Sequence, residues 1–341
     1  MRKNIMLTVL YTANDGYLPY LGISLVSLLQ NNPEEQVRVY AVLSEAKKDN
    51  LDKLNSIRTR YSNLDLRIID GAPYIARMKK LKMIQYRQTF VPNLRLFFTE
   101  YIDRDVDRLL YLDSDTLVVG SLHELFAMDM GGNCVGVVLD SLTGAYKHRL
   151  GYREEEPYFN SGVLLIDVAQ WNRCHCTEEL FRMIERGDNI HANPDQDCLN
   201  LLLHEKIQVL PPEFNLQPHH MCLPDSTYFS CYARRGYYTE QQLRHAVENP
   251  VIIHAYRFLG DFCWHEENLH PASMYYEKYK ALSPWREQPQ QPAKKNLTFR
   301  LEKLAYRCLP TKWYFKIWCW MQQRYFAQQD NKNRRKIHEM V

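Results

Sequence analysis

Apolar residues along this chain follow two alternating rhythms. Short runs over 5–11, 37–43 and 66–69 predict strands. Between them residues 18–30 and 45–61 predict helices, the second because Leu51, Leu54, Ile57 and Tyr61 recur every three or four positions. Pro92 suits the first turn of a helix over 92–101. The run Leu109-Leu110-Tyr111-Leu112, apolar on both faces, predicts a central strand over 108–112. Strand–helix–strand repetition builds a mostly parallel sheet covered by helices on both faces, and such sheets bind ligands beyond the carboxyl ends of their strands.

The second half is less regular, with strands expected over 135–139, 163–166, 207–210 and 251–253 and helices over 177–186, 195–204 and 240–247. Residues 283–293, SPWREQPQQPA, hold three prolines and three glutamines, which is linker chemistry. Beyond them Leu297, Leu301, Leu304 and Cys308 recur at helical spacing, and after Pro310 so do Trp313, Ile317 and Trp320. The expected organisation is one domain over 1–282, a linker over 283–293 and a basic, aromatic helical tail over 294–341.

Composition adds less than its distribution. A chain of 341 residues with 45% hydrophobic positions excludes collagen-like, disordered and mini-protein classes. Its formal charge of +3 conceals a tail with 12 Lys/Arg, three Asp/Glu and nine aromatics, a net +9, on a body of −6. Aromatics interleaved with cations suit an anionic membrane surface. Nucleic acid is not expected, since no binding motif is present and the acidic body opposes it. The competing expectation for the tail is a helical hairpin packed on the domain with its cations solvated.

Nine cysteines without a CxxC pair argue for reduced thiols in a cytosol-like compartment. Thr8, Thr12, Asn14 and Asp15 interrupt the first apolar run, so it reads as a strand rather than a signal peptide. No apolar stretch reaches the roughly 18–20 residues a spanning helix needs. The expected location is the cytoplasm, peripheral on the inner face of the cell membrane.

Asp113-Ser114-Asp115 directly follows the apolar strand, so two carboxylates project to one side at its carboxyl end. Such a clamp favours hard divalent ions that keep open positions for phosphate oxygens. His254, after the apolar run 251–253, offers a third ligand, and imidazole with two carboxylates favours Mn²⁺ over Mg²⁺. Asn160-Ser161-Gly162 precedes another buried strand. Asn193-Pro194-Asp195-Gln196-Asp197 opens a helix with more polar groups than capping requires.

In order along residues 5–265, the segment Thr12 to Tyr17, Leu94-Arg95-Leu96, the Asp113/Asp115 clamp, Phe159-Asn160-Ser161-Gly162-Val163, Asp195-Gln196-Asp197 and His254 resemble the retaining, metal-dependent glycosyltransferases of family eight, which include bacterial lipopolysaccharide galactosyl- and glucosyltransferases and glycogenin. The resemblance implies a GT-A type nucleotide-diphospho-sugar transferase fold, a Rossmann-like, mixed and mostly parallel sheet. It implies a UDP-hexose donor, glucose or galactose, and a saccharide or glycolipid acceptor. Thr12, Ala13, Asn14, Tyr17 and Ser114 would meet the donor nucleotide, with Asn14 near uracil and Tyr17 as a stacking surface. Asp113, Asp115 and His254 would hold Mn²⁺, with Mg²⁺ as the alternative. Arg95, Asn160 and Asp195 would grip the donor sugar, Gln196 would sit beneath its anomeric carbon, and Asp140 would face the acceptor.

One departure stands out. The family follows its metal histidine with a glycine and then Lys-Pro-Trp, whereas here no lysine lies between His254 and Trp264, and Arg257 is the only cation available to the diphosphate. That leaves a second expectation, a catalytically impaired sugar-nucleotide-binding protein. A haloacid dehalogenase-type phosphatase fits poorly, since that motif places a residue between the second Asp and the Thr, while Thr116 follows Asp115 directly.

Overall fold

The computed structural model describes residues 5–142, 147–188, 190–222, 236–293 and 296–340. Lys294 and Lys295, the first cations of the tail, and Cys231 lie outside the described residues.

Strands β1 (Met6–Asn14), β2 (Gln36–Ser44), β3 (Leu64–Asp70), β4 (Arg108–Leu112), β6 (Val135–Leu139), β7 (Phe159–Asp167) and β8 (Ile207–Val209) form one sheet in the order β3-β2-β1-β4-β7-β6-β8. All neighbours pair in parallel except β7, which runs antiparallel to both β4 and β6. Both faces are covered. Val9, Tyr11 and Ala13 of β1 enter one core while Leu10 enters the other, the two-residue alternation of a pleated strand buried on both sides. This is the mixed, mostly parallel α/β sheet expected from the pattern.

A second, two-stranded sheet pairs β5 (Thr116–Val118) with β9 (Ile252–His254) antiparallel, with Thr116 opposite His254. The pattern missed β5, whose three residues are too few to show a period. It missed the helix Ala72–Lys80 too. The expected helix over 92–101 is a 3₁₀ segment, Val91–Glu100, interrupted at Phe97. β7 begins at Phe159, four residues before the expected 163, because Asn160, Ser161 and Gly162 find hydrogen-bond partners within the sheet and the site.

Residues 283–293 are strapped to the domain. Trp285 is buried, fills the space above Gly22 where a Cβ would lie 2.0 Å from its ring, and donates Nε1–H to Asn50 Oδ1 at 3.0 Å. Gln291 donates to Tyr20 OH at 2.6 Å. The tail forms helices Leu297–Cys308 and Thr311–Met340, broken at Pro310. Tyr314 and Phe315 enter the larger core, and Phe326 packs on Tyr158. The stripe legible in the sequence, Trp313, Ile317 and Trp320, faces solvent instead, with Trp313 62% exposed.

Candidate active site

β4 delivers Asp113 beside β7, where the Asp113 N–H donates to Gly162 O at 2.8 Å. The chain then turns into β5, and β5–β9 pairing carries His254 to the same spot. His254 Nε2 lies 3.2 Å from Asp115 Oδ1 and 3.7 Å from Asp113 Oδ2. These three ligand atoms fall within 4.8 Å of one another.

The surroundings fit a divalent cation. His254 Nδ1 meets Asn160 Oδ1 at 3.1 Å. An amide oxygen accepts only, so Nδ1 carries a proton, which leaves Nε2 as the atom that would ligate a cation between the carboxylates. Space is left deliberately at Gly162, where a Cβ would lie 2.1 Å from His254 Cε1 and 2.8 Å from Asp113 Oδ2. Burial raises the Asp113 carboxyl above its ordinary value, against the pull of Arg95. Burial also acts upward on Asp115, but His254 outweighs it and the net shift is downward.

Arg95 is fully engaged behind this clamp. Its Nη2 donates to Asp113 Oδ1 at 2.8 Å and lies 3.2 Å from Asp195 Oδ2, Nη1 donates to Ser161 O at 2.6 Å, and Nε donates to Pro92 O at 2.9 Å. Tyr111 OH adds a second bond to Asp113 Oδ1 at 2.6 Å and meets Thr12 Oγ1 at 3.2 Å. Ser114 Oγ donates to Thr12 O at 3.0 Å, which ties the clamp to the end of β1. There Ala13 is buried, Asn14 Oδ1 accepts the Tyr17 N–H at 3.1 Å, and Tyr17 is 38% exposed.

On the other flank Asp140 Oδ2 accepts from Asn160 Nδ2 at 3.1 Å and from Gln196 Nε2 at 3.2 Å. Gln196 Nε2 also donates to Tyr158 OH at 2.9 Å, while its Oε1 accepts the Ser161 N–H at 3.0 Å. Tyr158 OH in turn donates to Asp197 Oδ1 at 2.6 Å. The structure thus gathers Asp113, Asp115, His254, Arg95, Asn160, Asp195, Gln196 and Asp140 into one network. Arg257 stands apart, its Nε buried and without a hydrogen bond among the described residues. Gly162 was legible only as part of its motif, and Tyr111, Tyr158 and Asn215, which donates to Asn160 Oδ1 at 3.1 Å, were not anticipated as site residues.

Residues 8–262 match the family model described as Glycosyl transferase family 8. The chain belongs to that family. It is 26% identical over 294 residues to general stress protein A of Bacillus subtilis (strain 168), covering 84% of this chain and 96% of that protein. It is 25% identical over 303 residues to a lipopolysaccharide 1,2-glucosyltransferase of Escherichia coli (strain K12), covering 86% and 83%. Among solved structures, galactosyltransferase LgtC in complex with donor and acceptor sugar analogs aligns with a TM-score of 0.64 at 23% identity, covering 82% of this chain and 99% of that one. This family 8 glycosyltransferase has the GT-A architecture, with its acidic clamp at the carboxyl end of β4.

Proposed function

We propose that this glycosyltransferase moves a hexose from a UDP-sugar to a saccharide or glycolipid acceptor of cell-surface polysaccharide, with retention of anomeric configuration and with Mn²⁺ at Asp113, Asp115 and His254. The observation that carries the metal assignment is the two-carboxylate, one-imidazole set closed around Gly162. A divalent cation bound there would supply Lewis-acid neutralisation of the departing diphosphate.

The chain's own residues do the rest. Arg95 and Tyr111 hold Asp113 from behind, and Asn160 fixes the His254 tautomer. Thr12 to Tyr17 border the clamp and accept the nucleotide. Asp195, Asn160 and Asp140 line the donor-sugar and acceptor flank. Gln196 Oε1, held by the Ser161 N–H at 3.0 Å and by a long 3.4 Å bond from Ser161 Oγ, would turn its partial negative charge toward the positive charge that develops at the anomeric carbon. Arg257, three residues past His254, offers N–H donors to the diphosphate in place of the absent lysine.

Release of UDP from UDP-glucose and UDP-galactose, measured with Mn²⁺ and with chelator, tests this reading. We expect release with one donor only when Mn²⁺ is present. Binding of UDP without release from any donor would leave an inert sugar-nucleotide-binding protein.

The tail supports a membrane partner. Among the described residues no helix is long and apolar enough to cross a bilayer. Yet Trp313, Ile317, Trp320 and Met321 are exposed, with Lys316 over the Trp313 ring and Arg324 over the Trp320 ring, and Arg300, Arg307 and Lys312 of the two tail helices are exposed as well. An aromatic stripe rimmed by cations fits an anionic lipid surface on the inner face of the membrane. Flotation with vesicles containing phosphatidylserine should carry the wild type up and leave Trp313→Ser/Trp320→Ser behind; equal flotation of both would remove the lipid assignment.

A further inference from the structure

Past β9, Phe258 and Asp261 exchange backbone hydrogen bonds, at 2.8 and 3.0 Å, around Leu259 and Gly260. Both central residues have positive φ, +50 for Leu259 and +80 for Gly260, the pattern of a type I′ turn. Glycine accepts this conformation freely and leucine does not, so the turn needs support from outside itself. The tail supplies it. A Cβ at Gly260 would lie 2.4 Å from Phe299 Cδ1, so helix Leu297–Cys308 can approach only because that side chain is missing. Asp261, 1% exposed, takes His265 Nδ1 at 2.9 Å and an ion pair from Lys303 of the same helix.

Arg257 belongs to this assembly. Its guanidinium lies 5.0 Å from the Phe262 ring and 6.0 Å from the Phe299 ring, and its Nε has no hydrogen bond among the described residues. Ring contacts therefore set its position, one ring from the turn and one from the tail. On its other neighbours, Arg257 and Arg87 both act electrostatically on Tyr17, which also feels Asp115. The guanidinium thus sits near Tyr17, at the border of the donor-nucleotide segment, with a ring of the tail against it.

We propose that Lys303 is a positioning residue for the donor site: by pairing with Asp261 and seating Phe299 on Gly260, it locks the turn and aims the Arg257 donors at the donor's diphosphate. The proposal rests on the diphosphate role given to Arg257 above. It makes the tail part of the donor site as well as a surface element.

The test is calorimetric binding of UDP and of UMP, with Mn²⁺ present, to the full-length wild type, Arg257→Ala, Lys303→Ala and Lys303→Arg, each checked by thermal melting. Arg257→Ala should weaken UDP about tenfold and UMP little, the loss of a charge-assisted contact to the second phosphate. Lys303→Ala should lower the same UDP-to-UMP ratio by about threefold or more, and Lys303→Arg should restore it. If Lys303→Ala melts too low to assay, Phe299→Leu, which shortens the ring contact and keeps the ion pair, should lower the ratio in its place. An unchanged ratio in the Lys303 or Phe299 variant, with a lowered ratio in Arg257→Ala, overturns the positioning role and leaves the Arg257 assignment standing. An unchanged ratio in Arg257→Ala overturns both.

Discussion

A methyl group at position 162 would lie 2.1 Å from His254 Cε1 and 2.8 Å from Asp113 Oδ2. Gly162→Ala should therefore push the imidazole off the clamp and weaken Mn²⁺ binding about 10–100-fold while thermal melting stays near the wild type, as titration calorimetry would reveal. Asp197 makes a different prediction. Burial raises its carboxyl from 3.8 to about 7, although the Tyr158 hydroxyl pulls the other way. The folded state then keeps a proton that the unfolded chain has released, so this group costs stability progressively as pH rises from about 4 to 7. Asp197→Asn should flatten that component, and urea midpoints at pH 5 and 7 would report it; an unchanged slope would refute the shift. Asp113, Asp115 and His254 were legible because each lies at or just past the end of a short apolar run. The roles of Gly162, Tyr111 and Tyr158 were not, since they depend on His254, Asp113, Thr12 and Asp197 facing them in the folded chain.

At the level of elements, β5 and β9 decide the metal site. The apolar run 251–253 announced β9 and nothing announced β5, yet it is their antiparallel register that sets Thr116 opposite His254 and so brings the imidazole to Asp115. The strap 283–293 makes the same point from composition. Its prolines and glutamines suggest a linker, but the notch at Gly22 admits the Trp285 ring, and burial then dominates. Trp285→Ala should cost about 3–5 kcal/mol of unfolding free energy, measured in denaturant, because a large buried ring leaves a cavity and Asn50 loses its donor. A cost below about 1 kcal/mol would restore the linker reading. In the tail, sequence periodicity picked out the exposed stripe, while Tyr314, Phe315 and Phe326 on the docked side show only against their partners.

Over the whole molecule, buried histidines set the acid limit. Burial lowers His219 and His220 to about 3 and His191 and His270 to about 4, from 6.5. Each stays neutral in the fold while the unfolded chain takes up a proton below about 6.5, so their contribution is present above that pH and is lost as pH falls toward 4. Four such groups outweigh the opposite slope of Asp197. Stability should fall steeply between pH 6.5 and 4.5, and equal urea midpoints at these two pH values would contradict this. The sequence by itself determined the α/β sheet, the position of most of its strands, the acidic clamp and the charge asymmetry of the tail, because those depend on local periodicity and on residues adjacent in the chain. Only the tertiary structure decided which residues surround the clamp, that the strap is packed, and that Phe299 and Lys303 reach the turn after His254. Those outcomes depend on steric fit and ion pairing between segments far apart in sequence, which no single segment's pattern encodes.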